Sequence, residues 1–349
     1  MTGTTPRTGA LMAAETTEQP AVWRRQLTEA GPSGASGAAA AAELVRRRAP
    51  RFVLFVARGT SDHAALYAKY FVEIMLGLPA GLVSPSTYTA YRSRPDLRDV
   101  LMIAVSQSGG SPDLLAALEA ARDGGALTVA VTNNAGSELA RVADAHVDVL
   151  AGPERAVAAT KSYTAQLLAL LLLLRGDTGD LDRLPDLGDA VLARDAEIAA
   201  LATRYRFAER MITTGRGYSY PTAREAALKL METAYVSAQA FSGADLLHGP
   251  LALVEPRVPV LAVVSAGAGG TALAPVLDAL DERRADVLTV GSAARAGGAG
   301  GDLVLPETAE PLAPLLEILP FQVLARQVAV DRGANPDAPR GLLKVTETL

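Results

Sequence analysis

Cysteine is absent from the 349-residue chain, which excludes disulfides, thiolate metal sites and cysteine nucleophiles together. Histidine is nearly as scarce. The three present, His63, His146 and His248, share no paired ligand spacing and have no carboxylate cluster around them, so a metal site is not expected. Positive charge is not in excess either: a formal net charge of −5 gives no general attraction for nucleic acid or an anionic membrane. Any anion must be bound by local donors. The most apolar run, 167–174, stops at Arg175, far short of the ~20 residues that span a bilayer, and reads as a buried helix. With no secretory signal pattern at the start, the expected location is cytoplasmic.

Apolar residues make up 49% of the chain, enough for a substantial core in two domains or one large one. The clearest stretch is Val100-Leu101-Met102-Ile103-Ala104-Val105, followed by Ser106-Gln107-Ser108-Gly109-Gly110-Ser111 and then Pro112-Asp113. An unbroken apolar run bounded by a turn reads as a buried parallel strand, and Pro112 marks a helix start. Hydroxyls, flexible backbone and a helix N-terminus at one junction suit an anion. An ordinary strand-to-helix turn rich in Ser and Gly would look the same. No Gly-Lys-Ser/Thr follows and the Gly-x-Gly-x-x-Gly spacing is missing, so a monophosphate on a small molecule fits better than a nucleotide.

Strands and helices alternate from 52–57 onward: helix 62–76, a short strand at 81–83, strand 100–105, helix 112–122, strand 127–132, helix 137–142, strand 146–150 and a long helix 160–174. Such alternation predicts a parallel sheet covered by helices on both faces. A glycine- and proline-containing segment, 177–189, reads as a linker before helix 190–204. The pattern then repeats, with 211–217 echoing the first strand and its glycine loop, 258–265 echoing 100–105, strands at 285–291 and 301–305, and a closing helix at 312–331. An internal duplication is expected. In the second copy the hydroxyl loop has become Ser265-Ala266-Gly267-Ala268-Gly269-Gly270, so only the first copy should hold phosphate strongly.

Three other places carry chemistry. Lys229 and Glu232 are three apart on a helix and share a face, ordinarily as a surface ion pair. His248 lies in Leu247-His248-Gly249-Pro250, where a structural hydrogen-bonding role is the ordinary reading. Lys344 lies in a basic C-terminal segment after Arg340. With the hydroxyl loop, these supply an anion cradle, a carboxylate base, an imidazole and two amines, a set suited to proton transfers on a sugar phosphate.

At these residues the chain resembles the SIS (sugar isomerase) domain family, from about Glu15 to the C-terminus. The carriers are Glu18-Gln19-Pro20, Gly59-Thr60-Ser61, Ser106-Gln107-Ser108-Gly109, Ala159-Thr160-Lys161, Gly215-Arg216-Gly217, Ala227-Leu228-Lys229-Leu230 with Glu232, His248-Gly249-Pro250 and Pro339-Arg340 with Lys344. It is similar to the isomerase half of glucosamine-6-phosphate synthase. Through Arg58-Gly59-Thr60-Ser61-Asp62-His63 and the Ser-Gly-x-Ser-Pro-Asp pattern, it looks more like stand-alone SIS-type glucosamine-6-phosphate deaminases.

The resemblance implies an α/β fold of two tandem SIS domains, each a flavodoxin-like three-layer α/β/α sandwich with a parallel sheet. Its expected divisions are a disordered N-terminus 1–11, a first SIS domain 12–176, the linker 177–189, a second SIS domain 190–335 and a tail 336–349 that closes the site. It further implies that Thr60, Ser106, Gln107, Ser108 and Ser111 bind the phosphate and neighbouring hydroxyls, and that Ser61 and Val157 line the sugar pocket. Glu232 would move the proton between C1 and C2, His248 would assist ring opening from a second subunit of a homodimer, Lys229 would steady the sugar hydroxyls or the enolamine, and Lys344 would close the site. Four positions depart from the synthase pattern. Arg58 replaces its cysteine before Gly-Thr-Ser, Ala159 replaces a sugar-contacting serine, and Gly110-Ser111 replaces Glu-Thr.

Without a glutaminase part or any cysteine in these 349 residues, the expected reaction is deamination of glucosamine 6-phosphate to fructose 6-phosphate and ammonia. That reaction requires no metal or organic cofactor; the alternatives are an aldose–ketose isomerase, deaminase or deglycase acting on another phosphorylated amino sugar, such as galactosamine 6-phosphate, and a non-catalytic sugar-phosphate sensor. No evident helix-turn-helix accompanies the chain, which speaks against the sensor.

Overall fold

Among the described residues ten strands form two sheets of five, every pairing parallel. They are seen in a computed structural model that describes residues 8–294 and 302–344. Residues 1–7 of the expected disordered N-terminus, 345–349 of the expected tail and Gly301 of the expected last strand lie outside the described residues.

The first sheet holds β1 (Phe52–Val56), β2 (Ala80–Leu82), β3 (Val100–Ser106), β4 (Leu127–Thr132) and β5 (Ala145–Asp148) in the order β2-β1-β3-β4-β5. This is the flavodoxin-like order. β3 and β4 are central and lie buried along almost their whole length, which is why they read as unbroken apolar runs. Met102 and Ala104 of β3 pack with Leu114, Ala117 and Leu118 of the helix Pro112–Asp123. The buried helix Lys161–Arg175 carries the apolar run 167–174.

The second sheet holds β6 (Arg210–Gly215), β7 (Ser237–Ser242), β8 (Val260–Val263), β9 (Val287–Gly291) and β10 (Asp302–Val304) in the order β10-β9-β8-β6-β7. Reversed, this is the same permutation as the first sheet, so the duplication read from the sequence is present in the fold. Ile212, Val260 and Ala262 pack against Leu273, Val276 and Leu280 of the helix Ala268–Glu282. The segment Glu310–Asp331 is long and apolar enough to cross a bilayer by composition, but 83% of its apolar window is buried within the protein.

The described residues divide into two compact units, one of 19–154 and 161–185, the other of 8–18, 155–160 and 186–344. Several local expectations give way. Ala10 and Leu11, expected to be disordered, open a helix, Ala10–Thr17, where the Asp337 carboxylate accepts the N–H groups of Leu11 and Met12 at 3.3 and 2.8 Å. The expected linker 177–189 is largely ordered: a turn of 3-10 helix, Leu181–Arg183, runs into the helix Leu184–Leu192, and Pro185 sits in its first turn, where a missing N–H costs nothing. The expected helix 190–204 is interrupted, its second part being Asp195–Ala202. β7 was not legible because it is an edge strand of Ser, Ala, Gln and Phe with no apolar run.

Candidate functional site

β1 and β3 are parallel neighbours, and the chain leaves them towards opposite edges of the sheet, to β2 and to β4. At such a switch point the loops beyond the carboxyl ends part and leave a crevice for ligands. After β1 the backbone turns at Gly59 with φ +56°, and Thr60 and Ser61 open the helix Thr60–Phe71. Ser61 is 8% exposed, and its hydroxyl accepts a hydrogen bond from Gln166 Nε2 at 3.0 Å.

After β3, the Ser106 hydroxyl accepts the Gly109 N–H at 3.1 Å and the Ser108 hydroxyl accepts the Gly110 N–H at 3.3 Å. Gly109 has φ +66°, and a Cβ there would overlap the Ser137 hydroxyl, so only glycine fits. The Gln107 carbonyl accepts the Asn133 N–H at 3.1 Å, which ties the loop to the end of β4. Ser111 stands extended before the helix, and its side chain makes no capping bond. The two loops are joined directly: Arg58 Nε donates to Asp113 Oδ2 at 2.8 Å, and Asp113 is 1% exposed. The sequence-expected residues Thr60, Ser61, Ser106, Gln107, Ser108 and Ser111 are therefore brought to adjoining loops at the carboxyl end of the sheet.

In the other unit the helix Ser219–Ala234 carries Glu225, Lys229 and Glu232, four and then three residues apart on one face. Lys229 Nζ lies 3.2 Å from Glu225 Oε1 and 2.6 Å from Glu232 Oε2. The ordinary reading of Lys229 and Glu232 as a surface pair does not hold. Lys229 and Glu225 are fully buried, and only Glu232 reaches solvent, with 24% of its side chain exposed. Burial opposes the lysine charge, but the Glu225 and Glu232 carboxylates outweigh it and hold the ammonium above the ordinary lysine range. Glu225 was missed at the sequence level, although its four-residue spacing from Lys229 is the signal that finds it.

His248 follows the short helix Gly243–Leu247, is exposed, and its ring makes no hydrogen bond or ion pair among the described residues. It is not bonded to Lys229 or Glu232. Val157 and Lys344 are brought together: the Val157 N–H donates to the Asp337 carbonyl at 3.1 Å, and Lys344 Nζ donates to the neighbouring Ala156 carbonyl at 2.7 Å.

The second copy of the strand-to-helix loop binds an anion of its own. The Glu310 carboxylate accepts the Ala268 and Gly269 N–H groups at 3.0 and 2.7 Å, at the start of the helix Ala268–Glu282. The chain itself thus supplies the negative charge at this helix start. Nearby, Glu317 is buried among hydroxyls, accepting from Ser219 at 2.9 Å and Thr222 at 3.3 Å, while Ser219 and Ser265 are 3.1 Å apart. Burial pushes the Glu317 carboxyl up to about 8, against the lowering effect of the two hydroxyls. Among the described residues no three His, Asp or Glu side chains are grouped to hold a metal ion.

A family model described as SIS domain matches residues 48–175 and 205–292. The chain is 35% identical over 305 residues to the glutamine–fructose-6-phosphate aminotransferase (isomerizing) of Pyrococcus horikoshii, covering 84% of this chain and 51% of that protein. It spans about half the length of the curated relatives it matches. Among solved structures, a candidate phosphosugar isomerase from Silicibacter pomeroyi is 35% identical with a TM-score of 0.82, over 95% of this chain and 100% of that one. A glucosamine-6-phosphate deaminase from Thermotoga maritima superposes with a TM-score of 0.71 over 97% of this chain and 100% of that one, and at 23% identity it speaks for the fold alone.

Proposed function

The chain belongs to the SIS domain family, and on that footing we propose that it is an enzyme converting glucosamine 6-phosphate to fructose 6-phosphate and ammonia. The observation that carries this reading is the Glu225–Lys229–Glu232 cluster: a carboxylate with one side open to solvent, fixed by a buried ammonium. A base so held serves proton transfer. A purely sugar-binding protein has no evident use for it.

In the proposed reaction Ser106, Gln107, Ser108, Ser111 and Thr60 hold the phosphate and adjacent hydroxyls, while Ser61 and Val157 border the sugar. His248 assists opening of the pyranose to the aldehyde. Glu232 takes the proton from C2, giving an enolamine that Lys229 steadies, and returns a proton to C1. Water adds to the resulting C2 imine, the C–N bond breaks, and ammonia leaves. Lys344, from the C-terminal segment, closes over the sugar. The exposed, unbonded ring of His248 supports service from a second copy of the chain in a homodimer.

A second reading, aldose–ketose isomerisation without loss of nitrogen, is favoured by the description of the Silicibacter pomeroyi relative. One experiment separates the two. Purified protein incubated with glucosamine 6-phosphate should release ammonia and fructose 6-phosphate in equal amounts. Turnover of a neutral hexose phosphate with none of the amino sugar favours the second reading, and no turnover of either contradicts both.

A further inference from the structure

One residue of the unit formed by 8–18, 155–160 and 186–344 is held at both ends by charge from distant parts of the chain. The Ala156 N–H faces the Glu15 carboxylate, 3.4 and 3.2 Å from its two oxygens, and the Arg155 N–H meets Glu15 Oε1 at 2.5 Å. The Ala156 carbonyl receives Lys344 Nζ at 2.7 Å. Glu15 is 4% exposed, on the helix Ala10–Thr17, whose own first N–H groups are taken by Asp337 from the segment that leads to Lys344. The Asp337 carbonyl accepts the Val157 N–H at 3.1 Å. Further along the same segment, the Arg340 N–H donates to the Tyr235 hydroxyl at 2.8 Å, and the Arg340 guanidinium lies over the Tyr235 ring at 4.3 Å.

We infer that Glu15 is a positioning residue for Lys344. Its carboxylate fixes the backbone of 155–157 so that the Ala156 carbonyl stands ready for the ammonium, and the helix Ala10–Thr17 thereby anchors the C-terminal segment. A buried carboxylate accepting two amide N–H groups makes charge-assisted bonds in a setting where leaving it unpaired is costly, so the loop cannot relax independently of the helix. Asp337 closes the ring of contacts from the other side: its side chain holds the helix and its main chain holds Val157. Removing Glu15 frees the N–H groups of Arg155 and Ala156, lets the Ala156 carbonyl turn, and releases Lys344. This inference rests on the proposed function only for the task given to Lys344.

The chain has four lysines, at 69, 161, 229 and 344, of which Lys161 and Lys229 are buried. Acylation by an amine-reactive reagent such as acetic anhydride, followed residue by residue by mass spectrometry, therefore compares Lys344 with Lys69, which sits on another element and pairs with Glu73. In Glu15→Ala the acylation rate at Lys344 should rise about tenfold, as loss of a charge-assisted hydrogen bond implies, with the rate at Lys69 unchanged. In Glu15→Gln, which keeps the shape and one acceptor oxygen, the rise should be smaller. Equal rates at Lys344 in wild type and both variants overturn the inference. So does a parallel rise at Lys69, which marks general loosening. The labelling needs no substrate, so its outcome is independent of whether the proposed reaction is right.

Discussion

Lys229 Nζ lies 2.6 Å from Glu232 Oε2 while remaining fully buried, so the base proposed for proton transfer is held by a cation that water does not reach. The second carboxylate, Glu225, completes a group with two negative charges and one positive. Replacing Glu232 with Gln keeps the shape and removes the base. Turnover should fall by about 10²–10⁴-fold with KM little changed, as steady-state kinetics with glucosamine 6-phosphate would show.

Removing the cation should be a stability event as well as a catalytic one. Lys229→Met takes from the buried Glu225 carboxylate the ammonium it pairs with, and breaking a buried ion pair from one side costs about 3–5 kcal/mol. Urea unfolding of the variant should show a loss of that order. The double variant with Glu225→Gln should recover much of it.

Gly109→Ala forces a side chain into a backbone with φ +66° and against the Ser137 hydroxyl. The loop should shift, costing about 1–3 kcal/mol, and inorganic phosphate should protect the variant from thermal unfolding far less than it protects the wild type. Undiminished protection would remove the loop from the phosphate site.

Glu310→Ala deprives Ala268 and Gly269 of their acceptor at a helix start and should lower stability by about 1 kcal/mol, measured by denaturant unfolding. Phosphate titrated against the wild type should bind once per chain, because in the second copy this place is taken by the protein's own carboxylate.

Glu317 gives a pH signature. Its folded pKa of about 8 lies above the ~4.3 of an unfolded glutamate, so the folded state binds the proton more tightly. Its stabilising contribution is complete below about pH 4 and is lost as pH rises to 8, with a slope of up to about 1.4 kcal/mol per pH unit. Glu317→Gln removes this slope. Unfolding free energies of wild type and variant between pH 5 and 8 should therefore diverge as pH rises, with the variant losing less.

The parts of the protein built from near neighbours in sequence were legible in it. Val100 to Pro112 announces a buried strand, a tight loop and a helix start, and each is found; the repetition of that pattern foretold two sheets of one permutation. Pairings over long separations were not legible. Glu310 meets Ala268 across 42 positions and Asp337 meets Met12 across 325, and nothing near Met12 announces that its cap lies at the other end of the chain. β7 escaped because an edge strand paired on one side need not be apolar. Lys229 and Glu232 were placed on one helix face, but their burial depends on what packs over that face. Spacing along one helix carries no such information.

The central claim is that this chain moves a proton between C1 and C2 of a phosphorylated amino sugar through Glu232. The most direct measurement is NMR of glucosamine 6-phosphate in D2O with the purified protein. The account predicts loss of the C2 proton and deuterium at C1 of the fructose 6-phosphate formed, at a rate that Glu232→Gln reduces at least a hundredfold. Binding of the sugar phosphate with no fructose 6-phosphate formed and no exchange at either carbon would contradict it.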